Sequence, residues 1–406
     1  MKMNNNYLKS ILFSLSIFVL ASCSTSPKGY TLNGKVRGDA DSLMVYLEEV
    51  SFPEPKIVDS TKIVNGEFNF KGTLEFPTLY RVIIDRTPKG EASSERNWLA
   101  SNFYLENSTI EYSGHVDSLP TYFYKRDREV QPPVISGSAT QDQLIAYNES
   151  TSRYNKELRD IDTKYLEVYH VPSMSGVFNT QEGIDLINQQ NEIVNKINDV
   201  KWNFIKSNPE SVVAFDKAHE YLLDMYVRIS QDQIDELVAN FEPDWKGTNK
   251  FDKFKEDAEK AKKTAIGSKY MDFELLTPEG EKVMLSDYID GKHDVMLEFW
   301  ASWCGPCRGE IPHLRQVNEE YKDKGFRIVS ISIDDVDSEW RKAMSEEKMV
   351  WTQLNDPKGF EGEISKAYNI LGIPYALLLD KEGRIKNFEM RGASLDAQLQ
   401  ELYGKQ

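Results

Sequence analysis

Cysteine is scarce in this chain: three residues in 406, at positions 23, 304 and 307. A disulfide framework needs cysteines spread along the sequence, and two of these three are separated by only two residues, so no such scaffold is expected. Basic blocks are missing as well. Lys and Arg number 49 against 65 Asp and Glu, for a net charge of −16, which removes the electrostatic footprint of a nucleic-acid binder. Beyond the first two dozen residues no apolar run is long enough to cross a bilayer, and no internal repeat of 20 to 50 residues is visible. What remains is 40% hydrophobic and 11% aromatic, ample for two or three packed domains rather than a disordered chain.

The first residues read as an address. Lys2 and Lys9 form a basic region, Ile11 to Ala21 an apolar stretch, and Leu20-Ala21-Ser22-Cys23 closes it. The stretch is too short for a spanning helix of roughly 20 residues. Its end resembles a bacterial lipobox, which implies residues 1–22 as a lipoprotein signal peptide, Cys23 as the lipid attachment site and 23–29 as a tether. An ordinary signal peptide with a free Cys23, or a short membrane helix, are the alternatives. With Cys23 lipidated, Cys304 and Cys307 are the only free thiols left.

Three patterns follow one another downstream. From Tyr30 to about Ile135, short alternating runs such as "GEFNFKG" and "TLYRVIID", with Asn65-Gly66 before one of them, predict antiparallel strands and hairpins in a β-sandwich-like domain, residues 30–138. "RTPKGEASSER" (86–96) reads as an exposed loop, and Pro132-Pro133 mark a linker or last edge strand. Residues 139–265 turn helical: Ile184, Ile187, Ile193, Val194 and Ile197 fall on one stripe, and Asn208-Pro209 separates two helices. Nothing in this block has catalytic spacing. Residues 266–406 alternate strand and helix, with a hairpin at Asp380 to Gly383, which predicts an α/β layer with a partly parallel sheet. The fold class is therefore multi-domain: an N-terminal antiparallel β domain, a central α-helical segment and a C-terminal α/β domain.

The chemistry concentrates in "ASWCGPCRGE" (301–310). Cys304-Gly305-Pro306-Cys307 follows an apolar strand and opens a helix, where proline is tolerated because its missing N–H costs nothing. Cys304 then lies at the positive end of the helix dipole, which favours thiolate. Such a thiolate can attack a disulfide, and Cys307, one turn away, can resolve the mixed disulfide. A zinc half-site would need two more ligands, and the nearest imidazoles, His293 and His313, form no H-x-x-x-H pair. Haem attachment would need His where Arg308 stands. An inert pair is the remaining alternative. Glu298, in the strand "VMLEFW", is either a desolvated proton acceptor behind the cysteines or a half-exposed strand residue, since alternation alone does not fix its face. Pro312 either ends the helix at Ile311 or bends it, and the stripe Ile311, Leu314, Val317, Tyr321 favours continuation.

With strand, CGPC, helix and Gly372-Ile373-Pro374 assembled, residues 268–406 resemble the thioredoxin-fold, TlpA/ResA-like thiol-disulfide oxidoreductases of the broader AhpC/TSA superfamily. "FWASWCGPC" (299–307), Pro312 and "GIP" (372–374) carry the likeness. It implies a cis-proline at Pro374 facing the dithiol, with Ile373 before it. It implies a redox disulfide between Cys304 and Cys307. Glu298 takes the place where thioredoxins usually carry a shorter aspartate, and Glu310 completes a C-x-x-C-x-x-E pattern; the likeness implies that the two manage protons, with a solvated helix face as the plainer reading of Glu310. Trp303, Gly305, Pro306 and Ile373 would shape the docking surface, although Trp303 could equally be packing. The front of the chain is similar to β-rich domains of unknown function that precede this module in Gram-negative lipoproteins.

The expected function is a membrane-anchored, periplasm-facing oxidoreductase of the cell envelope that reduces protein disulfides. Its electrons would come from a membrane thiol carrier of the DsbD/CcdA type, and neither cofactor nor metal is expected. Two alternatives stand beside it. A thiol peroxidase would resemble T-x-x-C, yet Ala301 occupies that position. A partner- or glycan-binding lipoprotein would carry the redox module as an auxiliary.

Overall fold

The computed structural model describes residues 28–50, 55–123 and 129–404; the signal-peptide and lipid-attachment readings at residues 1–23 lie outside them. The described chain forms two compact units that divide after Gln141.

In the first unit, the strands at Tyr30–Arg37, Glu67–Gly72 and Thr109–His115 alternate buried side chains with more exposed ones, as period-2 patterning requires. β1 (Tyr30–Arg37), β2 (Met44–Glu49), β3 (Lys56–Lys62), β4 (Glu67–Gly72), β5 (Thr78–Asp85), β6 (Trp98–Leu105), β7 (Thr109–His115) and β8 (Val134–Ser136) build two four-stranded sheets, ordered β4-β1-β7-β8 and β3-β2-β5-β6. One apolar core serves both: Leu32, Phe70 and Ile110 from the first sheet meet Leu47, Val82 and Phe103 from the second. β8, just after Pro132-Pro133, is the expected edge strand.

Two features depart from the sequence-based picture. β1 and β7 pair in parallel, Thr31 opposite Thr109 through Arg37 opposite His115. Alternation reports which face a residue occupies but not strand direction, and the connection between the two contains the whole second sheet together with β4. Asn65 and Gly66 both have positive φ, as a tight turn of this sequence requires. The strands they join, however, belong to different sheets.

In the second unit, α1 (Ala139–Tyr165), whose first residues belong to the first unit, runs through a π turn at Leu166–His170 into one helical turn, α2 (Val171–Ser173). α3 (Thr180–Ser207), α4 (Val212–Leu223), α5 (Gln231–Trp245) and α6 (Asn249–Ala261) follow. Caps set their starts: Ser211 caps α4, and Ser230 with Gln233 forms a capping box on α5. Phe215, Phe241, Trp245 and Phe254 form their aromatic core.

The α/β layer consists of β9 (Glu274–Leu276), β10 (Lys282–Met284), β11 (Asp294–Trp300), α7 (Gly305–Tyr321), β12 (Phe326–Ser332), α8 (Asp337–Glu346), β13 (Thr352–Asn355), α9 (Glu363–Ala367), β14 (Tyr375–Leu379), β15 (Ile385–Phe388) and α10 (Gly392–Tyr403). The sheet order is β10-β9-β13-β12-β11-β14-β15. β11, β12 and β13 run parallel, and β14 and β15 are antiparallel to them through the hairpin expected at Asp380 to Gly383. This is the thioredoxin-like layer, and the helical segment shares its compact unit. α3 packs along α10. Gly183 permits that approach, because a Cβ there would stand 2.4 Å from the Tyr169 ring and 2.7 Å from Ala393.

Candidate active site

β11 places the site. Its even residues Met296 and Trp300 enter the core shared with Cys304, Cys307 and α7, whereas Val295, Leu297 and Phe299 enter the opposite core. Glu298 therefore lies on the cysteine side of the sheet, which decides the question alternation left open. Just past β11, the Ser302 N–H and hydroxyl donate to Asp334 at 2.9 and 2.6 Å, and Ser332 donates to the same carboxylate at 2.7 Å. This buried aspartate beyond the end of β12 ties down the loop that delivers the dithiol. It was not singled out in the sequence, where "ISIDD" carries no motif.

Cys304 is the N-cap of α7, and its Sγ accepts the Cys307 N–H at 3.2 Å. A developing charge on Cys304 would thus meet a backbone donor and the positive end of a 17-residue helix. The two sulfurs are joined as a disulfide, with Cα atoms 5.3 Å apart. Cys304 keeps 5% exposure and Cys307 only 1%. Gly305 and Pro306 form the first turn, and α7 continues through Pro312 to Tyr321, as the apolar stripe suggested.

The Ile373–Pro374 peptide is cis. Phe299 pairs with Tyr375, so Pro374 enters β14 at the same end of the sheet from which β11 leads to the cysteines. Ile373 packs against both cores. Trp303 is 59% exposed, with its ring 6.5 Å from that of Phe360. Val336, Phe360 and Leu371 are exposed as well, which gives this end of the layer several apolar side chains facing solvent.

The two candidate carboxylates occupy different environments. Glu298 is 4% exposed, Oε2 has no hydrogen-bond partner, and Ser330, its register neighbour on β12, hydrogen-bonds to the carboxyl. Burial raises its pKa to about 7, assisted by the negative charge of Glu310 and opposed by Ser330 and Arg391. Glu310 instead binds the His313 ring at 2.9 Å and accepts the Gly392 N–H at 2.7 Å. Burial pushes its carboxyl up, but the His313 and Gly392 hydrogen bonds and the Arg391 charge hold it below its ordinary value. Glu310 therefore does not present a free carboxyl on a solvated face; it is a fixed charge.

His313 was weighed in the sequence only as a metal ligand. It is buried, with Nδ1 on Glu310 and Nε2 2.9 Å from Asp396. Asp396 is 83 residues away along the chain, so no local pattern could have joined them.

Residues 266–388 match the AhpC/TSA family, and residues 30–144 match DUF4369, a domain of unknown function. The thiol-disulfide oxidoreductase ResA of Bacillus thuringiensis is 33% identical over 146 residues, which span 36% of this chain and 81% of that protein. The thioredoxin-like protein YneN of Bacillus subtilis is 33% identical over 127 residues, covering 30% and 71%. The solved thioredoxin domain of a thiol-disulfide oxidoreductase from Bacteroides vulgatus is 33% identical and covers 34% of this chain and 98% of its own, with a TM-score of 0.32. A strand-borne buried carboxyl, a helix-capping CGPC disulfide and this similarity over most of a ResA chain place the protein in the ResA-like family of thiol-disulfide oxidoreductases.

Proposed function

We propose that the chain reduces protein disulfides by exchange through Cys304 and Cys307. The observation that carries this reading is the buried, incompletely satisfied Glu298 on the cysteine side of the sheet, beneath a dithiol at a helix N-terminus. In the reduced enzyme, the Cys304 thiolate attacks one sulfur of a substrate disulfide. A Cys304–substrate S–S bond forms, the substrate S–S bond breaks, and the departing thiolate takes up a proton. Glu298 accepts the Cys307 proton, and the Cys307 thiolate attacks Cys304 Sγ. The mixed disulfide breaks, the second substrate thiol leaves, and the enzyme holds the Cys304–Cys307 disulfide. Two electrons have passed from enzyme to substrate. Glu310 contributes as a charge that keeps the Glu298 proton affinity high. Pro374, Ile373 and Trp303, with Gly305 and Pro306, form the surface on which the substrate segment docks.

The lipobox-like Leu20-Ala21-Ser22-Cys23 supports a lipid anchor at Cys23 and a site facing the periplasm. A membrane thiol carrier of the DsbD/CcdA type would then return the electrons, since an exported enzyme needs a reductant delivered across the membrane. The test is insulin reduction by the purified chain, together with its midpoint potential. Wild type should cycle, Cys304→Ser should be inert, and Cys307→Ala should accumulate mixed disulfides on Cys304. A potential near that of strong dithiol oxidants, about −120 mV, would contradict the reductive direction.

A further inference from the structure

His313 sits one turn beyond Glu310 on α7, in a pocket closed by α10 and the helical segment. Its Nδ1 meets Glu310 and its Nε2 meets Asp396 of α10, both at 2.9 Å. Glu310 already accepts the Gly392 N–H, and Asp396 accepts the Tyr169 hydroxyl at 3.4 Å. A carboxyl oxygen stands 2.9 Å from each ring nitrogen, the geometry in which both nitrogens donate, as only the imidazolium can. From the helical segment, the Phe178 ring lies 5.3 Å from the imidazole, and Tyr169 is stacked on Tyr165. The charged and titratable groups around the ring are thus Glu310 on α7, Asp396 and the preceding Arg391 at α10, and Tyr165 and Tyr169 from α1 and the π turn.

We propose that His313 is a positioning residue for dithiol exchange: a buried cation that clamps Glu310 of the cysteine-bearing helix to Asp396 of α10 and so fixes the charge beside Glu298. The role rests on Glu298 as the proton acceptor of the exchange. Burial opposes the imidazolium, but the Asp396 and Glu310 hydrogen bonds overcome it and raise its pKa to about 10. The ring therefore stays charged throughout the working range of the dithiol. Because Tyr169 and Phe178 complete the pocket, the helical segment becomes part of the redox module and not merely its neighbour.

The sign of the effect follows from the charges. In His313→Gln the Gly392 N–H and Arg391 still face Glu310, but its negative charge is no longer balanced by the ring. Glu298 should then hold its proton to higher pH. The exchange profile of the full chain is expected to move up by about one pH unit, as an added uncompensated neighbouring charge implies. The same substitution made on top of Glu310→Gln should add almost nothing. Nitrogen-15 histidine NMR of wild type gives a readout besides activity: the resonance lost in His313→Gln, or shifted in Asp396→Asn, should be an imidazolium at pH 8.

If His313→Gln does not fold, Asp396→Asn keeps the ring and Glu310. Its histidine midpoint should fall, and the exchange profile should change where that histidine titrates. A neutral ring at pH 8, an unmoved exchange profile, or equal shifts with and without Glu310 would each overturn the role. Wild type that exchanges disulfides with a normal profile in the variants removes only the His313 role; wild type that cannot exchange at all removes the proposed function first.

Discussion

Glu48 of the sandwich and Glu298 of the α/β layer are both strand glutamates, at 6% and 4% exposure. Glu48 is answered by the Arg81 guanidinium at 2.7 Å, which itself bonds Asn102 and lies over the Tyr122 ring. Glu298 has a serine and one oxygen with no partner. A buried carboxyl answered by a guanidinium is a structural solution. A buried carboxyl left short of partners holds its proton into the neutral range, where it can serve exchange chemistry. Burial alone thus does not locate function; the missing partner does.

Substitutions that attack each side of this contrast should separate in their effect on exchange. Cys304→Ser should abolish insulin reduction, since Cys307, the other thiol among the described residues, is only 1% exposed. Glu298→Gln should slow resolution of the mixed disulfide about 100-fold, the scale of a lost general base, as read by quenched-flow trapping. The same substitution should change stability in the opposite sense. A carboxyl raised from 4.5 to about 7 contributes stability fully present below the lower value and lost as pH rises through the upper one. Glu298→Gln should therefore melt higher than wild type at pH 8 and show no such advantage at pH 4. Trp303→Ala should raise KM for protein substrates a few-fold with little change in kcat, since it removes an exposed docking ring. Arg81→Ala should leave exchange untouched while destabilising the sandwich by about 3 kcal/mol, the cost of orphaning a buried partner, read by urea unfolding.

Much of the site was legible because its parts are local. The strand before CGPC, the proline inside a continuing helix, Ile373-Pro374 and the hairpin at Asp380 to Gly383 each depend on neighbours a few residues away. The sandwich was legible as strands, but its parallel β1–β7 pair was not, since alternation carries no direction. The small hairpin β9–β10 and the four-residue β13 are too short to declare a period. The charge clamp was least legible of all: Glu310 carried only its place in the C-x-x-C-x-x-E pattern, His313 only a discarded metal reading and Asp396 nothing, until α7 and α10 come together. Asp334 is a similar case, because its worth lies in the loop that it holds and not in its own motif.

The central claim is that Glu298 gates the resolving thiol, and the pH dependence of mixed-disulfide resolution in wild type and Glu298→Gln addresses it most directly. The wild-type rate should rise with pH around a midpoint near 7, and that step should vanish in the variant. Identical profiles in the two proteins would contradict it.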